Sequence, residues 1–243
     1  MDILGVKLDN FTRKEVLAKV TTFLAEDRFH QIATINPEFI LRAQKDVAFR
    51  DILNDCDLKV VDGVGIWFAF LRFGKYLKSR MTGIDLMMEI LKLASENKLK
   101  VFLISYDGAL SSWEETKVAI LKIHPNLEID GELLDTGCPM DIKNERHSVS
   151  KAIADYEIVF CSLGTPSQEK LLHSLKTVEN AKIRLVMGVG GSFDFLTGKC
   201  KRAPKFLQKI GLEWLWRFLQ EPKYRAKRIF RAVIVFPIKI IFN

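Results

Sequence analysis

Arg184-Leu185-Val186-Met187-Gly188-Val189-Gly190-Gly191 runs a short apolar segment straight into a glycine-rich turn. Four residues of this kind, bounded by a turn, read as a buried strand. The same arrangement recurs at Ile158 to Ser162, followed by Gly164-Thr165-Pro166-Ser167, and at Leu58 to Val61, followed by Asp62-Gly63. Ile32 to Ile35, closed by Asn36-Pro37, and Lys100 to Ile104 give two further strands. Helical patterns fill the intervals. Thr12-Arg13-Lys14-Glu15 reads as a capping box, and Val16, Val20 and Phe23 then share one face. A second helix passes through Phe39, Ile40 and Ala43. Thr82-Gly83-Ile84-Asp85 reads as another capping box, opening a helix that bears Leu86, Ile90, Leu91 and Leu93. Leu110 to Ile123 forms one more, ended by His124-Pro125-Asn126. Strand, turn and helix in repeated succession predict an α/β fold, a mostly parallel sheet with helices on both faces. Ligands of such sheets sit beyond the carboxyl ends of the strands. Thr34, Asn36, Asp62, Gly164 to Gln168 and Gly188 to Gly191 all fall at those ends, so one pocket can gather them.

The 243 residues are 48% hydrophobic, enough for one sizeable core with a small appendage. The N-terminus lacks the charged start and apolar run of a signal peptide, and no uninterrupted apolar stretch is long enough to span a bilayer. The expected location is therefore cytoplasmic. Cys56, Cys138, Cys161 and Cys200 lie far apart without a C-x-x-C pair, which argues for reduced thiols rather than a zinc ribbon or redox motif.

The net charge of +7 is unevenly placed. Residues 199–243 hold twelve Lys/Arg and two Glu, so the remainder of the chain is slightly acidic. Within this tail Lys223, Arg225, Lys227, Arg228 and Arg231 interleave with Ile229, Phe230, Val233, Ile234 and Phe236, and Ile238, Ile240, Ile241 and Phe242 follow. A basic, amphipathic and finally apolar end suits an anionic membrane surface. The alternative is a helix docked on the core. Nucleic acid is disfavoured, because Ile and Val dominate where base-stacking side chains would be needed. Pro222 marks the expected boundary of the tail, and a core lacking Pro222 to Asn243 is expected to stay folded.

Several motifs have both a structural and a chemical reading. Asp62 can bond its own turn, or it can stand at the pocket mouth as a general base. Asp55-Cys56-Asp57 matches D-x-D, a pattern that holds a cation, but it precedes its strand and so belongs to the wrong end of the sheet. Gly188 to Gly191 is neither G-x-G-x-x-G nor a Walker A loop, which argues against a nicotinamide cofactor, although its N–H groups can face an anion. His30, His124, His147 and His173 have no neighbouring Cys or His at ligand spacing. No metal site and no cofactor is expected.

In order and spacing these segments resemble the WecG/TagA/CpsF glycosyltransferases, glycosyltransferase family 26. The matching stretches are Thr34 to Ala43 (T-I-N-P-E-F-I-L-R-A), Val60 to Ile66 (V-V-D-G-V-G-I), Arg80 to Leu86 (R-M-T-G-I-D-L), Gly164 to Glu169 (G-T-P-S-Q-E) and Gly188 to Gly198 (G-V-G-G-S-F-D-F-L-T-G), with Arg202 to Pro204 and Gly211 to Arg217 (G-L-E-W-L-W-R) beyond. The resemblance runs from about Gly5 to about Arg231.

The resemblance implies an inverting, metal-independent hexosyltransferase with a Rossmann-like core over residues 1–200 and a membrane-associating appendage over 201–243. It implies a UDP-sugar donor carrying N-acetylmannosamine, its uronic acid or a related hexose. The implied acceptor is a sugar on undecaprenyl diphosphate, in teichoic acid, capsule or other surface-polysaccharide synthesis at the inner face of the cell membrane. Carried over by motif, Asp62 is the base. Thr34, Asn36, Arg80 and Gln168 line the substrate pocket beside Gly188, Gly190 and Gly191. Arg217, and Arg225 or Arg228 beyond it, face the diphosphate. One departure stands out: where the family has a glycine-rich F-L-x-G turn, this chain reads F-L-I-S-Y-D-G (Phe102 to Gly108). The rivals are a UDP-sugar-modifying enzyme such as an epimerase, which would want a nicotinamide site, and a regulator that binds membrane or nucleic acid through the tail. Assembly into homo-oligomers is left open.

Overall fold

The computed structural model describes residues 1–135 and 149–242; His147 and Cys138 lie outside them. Thr12 caps the first helix, Arg13–Ala25, as its sequence requires: its hydroxyl accepts the Glu15 N–H at 3.2 Å, and the Glu15 carboxylate accepts the Thr12 N–H at 2.6 Å. Thr82 caps the helix Gly83–Asn97 through the Asp85 N–H, but the reciprocal half of the expected box is missing. Asp85 instead takes the Thr82 hydroxyl at 2.6 Å, its shorter side chain turning to the neighbouring oxygen. The expected helix from Leu110 starts later, spanning Trp113–Leu121, because Ser112 and Glu115 form a capping box there.

The main sheet has six strands. They are β3 (His30–Ile35), β4 (Leu58–Val61), β5 (Val101–Tyr106), β6 (Ile129–Leu134), β7 (Ile158–Cys161) and β8 (Leu185–Gly188). Their order is β4-β3-β8-β7-β5-β6, every pairing parallel. A two-stranded antiparallel ribbon, β1 (Asp2–Ile3) with β2 (Val6–Lys7), precedes them. Successive residues point to opposite faces. Ile32, Leu58, Val60, Leu103, Phe160 and Met187 pack under Arg13–Ala25, Gly83–Asn97 and Trp113–Leu121. Ala33, Ile35 and Val61 pack on the opposite face with Phe39, Phe49 and Leu53, and Val159, Cys161 and Val186 do so with Leu171 and Leu172. The register sets Ile35 opposite Val61 and Cys161 opposite Gly188, so four strands end along one edge and release their loops together.

After residue 200 the chain forms the helices Lys205–Lys209, Glu213–Gln220, Pro222–Phe230 and Phe236–Ile241, the last two joined by a π-helical turn, Arg231–Val235. The tail does not stand apart. Phe236 and Ile240, four residues apart on one helical face, are fully buried in the cluster that holds Ile66, Ala69 and Phe70. The helix Val64–Arg72 accommodates them through Gly65. A β-carbon there would lie 2.5 Å from Cγ of Pro37, 3.5 Å from the Ala232 carbonyl and 3.6 Å from Phe236. Deleting Pro222 to Asn243, expected to leave a folded core, would also remove two fully buried side chains from it. The opposite side of the tail stays apolar and exposed at Phe230, Val233, Ile234, Ile238, Ile241 and Phe242. Among the described residues no helix is long and apolar enough to cross a membrane.

Candidate active site

Asp62 leaves the end of β4 with its N–H bonded to the Ile35 carbonyl at 2.8 Å, which ties it to the end of β3. Gly63 follows at φ +91°, a left-handed conformation that a side chain would strain. It turns the chain into the helix Val64–Arg72. The Asp62 carboxyl is half-buried, and loss of solvent pushes its pKa up to about 6; the charges of Arg80 and Arg217 pull it down, while Glu213 and Asp85 push it up. A carboxylate so placed is ionised near neutrality and more basic than a free one, which suits proton abstraction from a hydroxyl.

The sequence-derived residues converge here to differing degrees. Thr34 sits in β3, buried, with its hydroxyl 3.4 Å from where a β-carbon on Gly83 would lie. Asn36 works as a helix cap: its Oδ1 accepts the N–H of Glu38 at 2.9 Å and of Phe39 at 3.3 Å, which leaves the amide nitrogen for a ligand. Arg80 donates to the Gln208 carbonyl at 2.7 Å, joining the segment after β4 to the tail. Gln168 is buried and its amide is engaged inside the protein. Its Oε1 accepts N–H groups of Gly164 and Gly190, each at 3.1 Å, and its Nε2 donates to Glu169 at 2.6 Å. Gly188 makes room for that side chain, since a β-carbon there would collide with Nε2.

Arg217, on the helix Glu213–Gln220, lies with its guanidinium carbon 4.5 Å from the centroid of the Phe195 ring. It has no ion pair with a carboxylate among the described residues. Burial, the largest cause, and the nearby charges of Arg225 and Arg228 hold its pKa below the ordinary value, opposed by Glu213. A half-buried guanidinium resting on an aromatic face, with like charges beside it, has the donors and the charge to receive a multivalent anion. Arg225 and Arg228 are themselves paired, to Glu221 at 2.6 Å and to Glu38 at 2.7 Å.

The sequence alone does not assign Arg202, Asp85, Glu213 or Phe195 to the site. Arg202 bridges Asp85 at 2.8 Å and lies 3.5 Å from Glu213, bracing the tail against the Gly83–Asn97 helix. Phe195 carries Arg217. The pattern R-M-T-G-I-D-L with R-A-P held the signal for the Asp85–Arg202 pair, but only the fold shows that the two meet. Asp55 and Asp57 precede β4 and are taken by Lys176 and His30, at 2.8 and 3.2 Å. Among the described residues no three His, Cys, Asp or Glu side chains cluster to hold a metal ion.

The glycosyl transferase family described as WecG/TagA/CpsF matches residues 1–243 of the chain. The chain belongs to that family. One relative is the N-acetylglucosaminyldiphosphoundecaprenol N-acetyl-beta-D-mannosaminyltransferase of Staphylococcus aureus (strain MRSA252), 32% identical over 244 residues that cover 99% of this chain and 91% of the relative. The protein of the same description from Bacillus spizizenii (strain ATCC 23059 / NRRL B-14472 / W23) is 32% identical over 203 residues, 83% of this chain and 76% of its own. This WecG/TagA/CpsF member is accordingly a glycosyltransferase, and neither the epimerase nor the regulator reading has support. Its six-stranded parallel sheet flanked by helices agrees with the Rossmann-like core expected of it.

Proposed function

We propose that this glycosyltransferase moves an N-acetylmannosaminyl group from UDP onto N-acetylglucosamine linked to undecaprenyl diphosphate, with inversion, at the inner face of the cell membrane. The observation that carries the reading is Asp62, half-buried with a raised pKa at the sheet edge, in the field of Arg80 and Arg217. Inversion by single displacement needs a base on the acceptor hydroxyl and stabilisation of the departing diphosphate. Asp62 takes the proton as the hydroxyl oxygen attacks the anomeric carbon and the bond to UDP breaks. Arg217, with Arg225 and Arg228 behind it, meets the charge that builds on the leaving group. Thr34 and the Asn36 amide nitrogen contact the sugar, and the Gly190 to Gly191 backbone lies along the nucleotide. Residues 201–243 act as the membrane-associating appendage, with Phe236 and Ile240 holding it to the core and the exposed apolar side chains entering the lipid surface among basic residues.

The acceptor and the transferred sugar are those in the description of the relatives at 32% identity, and the UDP carrier follows from the resemblance of the motifs. The test is turnover of a panel of UDP-hexoses with a short-chain N-acetylglucosaminyl diphosphate lipid and no added metal, Asp62→Asn being run alongside. UDP-N-acetylmannosamine is expected to be the best donor, and the variant is expected to fold and lose most of its rate. Equal turnover by wild type and Asp62→Asn would overturn the assignment.

A further inference from the structure

Glu169, buried beside Gln168, takes no part in the chemistry just described. It is 3% exposed, in the first turn of the helix Ser167–Ser174. One carboxyl oxygen accepts Nε2 of Gln168 at 2.6 Å; the other, like the Thr165 hydroxyl, is buried without a hydrogen bond of good geometry. Its backbone carbonyl accepts Nε2 of Gln31 at 3.2 Å, so the residue is held on two sides. Burial pushes its carboxyl up to about 7, and the side chains of Gln168 and Thr165 oppose this.

A glutamine amide has one accepting and one donating end, and it can be turned over. Gln168 must present its oxygen to the N–H groups of Gly164 and Gly190, because the reversed amide would aim donors at donors. Glu169 selects the correct orientation, since it offers an acceptor to the other end of the amide whether or not it carries a proton. The two glycines belong to different loops, one after β7 and one after β8, and Gln168 is the clasp between them. Immediately beyond Gly190, Gly191 comes so near Arg217 that a β-carbon would stand 2.9 Å from Nη2.

We propose that Glu169 is a positioning residue for sugar transfer: by fixing the Gln168 amide it locks the β7 and β8 loops together and so sets where Arg217 presents its guanidinium to the diphosphate. The last link rests on the role of Arg217 given above. The experiment compares full-length Glu169→Ala, Glu169→Gln, Gln168→Ala and the exchanged pair Gln168→Glu/Glu169→Gln. It reads kcat, the KM for UDP-sugar, thermal unfolding, and hydrogen exchange of peptides covering Gly164 and Gly188 to Gly191. Glu169→Ala is expected to lower kcat at least about tenfold with little change in KM, as for a misplaced catalytic group, and to speed exchange in both loops. Glu169→Gln keeps an acceptor and is expected to stay within about threefold of wild type in kcat. In the exchanged pair a carboxylate at position 168 accepts both N–H groups and an amide at position 169 donates to it. That variant is expected to recover activity even if Glu169→Ala does not fold. Folded Glu169→Ala with wild-type kcat and loop exchange would overturn the proposal. So would Glu169→Gln as impaired as Glu169→Ala, or an exchanged pair as inactive as Gln168→Ala. Faster loop exchange in Glu169→Ala, found in a protein whose wild type transfers no sugar, would support the lock and sink the reaction assignment instead.

Discussion

Gly191 and Arg217 approach so closely that a β-carbon on the glycine would stand 2.9 Å from Nη2 of the arginine and 3.3 Å from the Asp194 carboxylate. The β8 loop therefore needs glycine to make room for the guanidinium. Gly191→Ala is expected to displace Arg217 and lower kcat without much change in donor KM. Arg217→Ala removes the charge outright and should cost about 10²–10³ in kcat, the scale for one lost stabilising donor. Arg217→Lys should recover only part of this, because an ammonium cannot stack on Phe195 or grip two phosphate oxygens at once. Steady-state kinetics on the three variants check the ordering.

Asp62 has a raised pKa, and both activity and stability should report it. In the proposed reaction the ionised form is the base, so kcat/KM is expected to rise with pH through about 6 and then level off, as far as this group governs it. The stability effect has the opposite sign. A carboxyl whose folded-state pKa exceeds its ordinary value of 3.8 favours folding while protonated, and that contribution is lost as pH rises through about 6. Asp62→Asn should therefore be more stable than wild type at pH 8 by about 1 kcal/mol, reduced for partial exposure, and gain little at pH 4. Thermal melts at the two pH values test this.

In the proposed function the two ends of Asn36 have different work, and substitution can separate them. Asn36→Ala loses the cap of the helix Pro37–Ala43 and should cost about 1 kcal/mol of stability. Asn36→Ser restores a capping oxygen but not the amide nitrogen. Recovery of the melting temperature without recovery of kcat/KM is the expected result.

The tail separates in the same manner. Phe236→Ala and Ile240→Ala each empty a fully buried site and should destabilise the protein by about 2–5 kcal/mol. Ile238→Ser with Phe242→Ser alters only exposed positions and should leave stability within about 0.5 kcal/mol. The same pair should weaken flotation with anionic vesicles. Urea melts and vesicle flotation measure the two effects independently.

Much of this was legible in the chain because parallel strands buried on both faces leave continuous apolar runs that end in turns. Leu58 to Val61 coincides with β4, and Ile158 and Leu185 open β7 and β8 as strands. The sequence alone hides the edge strand β6, since Asp130, Gly131 and Glu132 break the apolar run of Ile129 to Leu134 and the Asp-Gly pair reads as a turn. Residue types at strand ends pointed to Asp62, Thr34 and the glycines. The tail was harder, because nearly every residue from Ile229 onward is apolar or basic and no periodicity singles out Phe236 and Ile240 as inward-facing. Interactions between distant segments, such as Arg202 with Asp85 and Gln168 with Gly190, needed the fold. No local spacing encodes them.

Gly65 has Pro37 on one side and Ala232 and Phe236 on the other, with room for no more than a hydrogen between, and it lies three residues past Asp62, while Pro37 directly follows Asn36. Packing this close leaves little slack between the tail and the loops after β3 and β4. In the proposed function, a tilt of the terminal helix on lipid would reach the loops that carry Asn36 and Asp62, so the bilayer would bear on the alignment of the base as well as on the address of the enzyme.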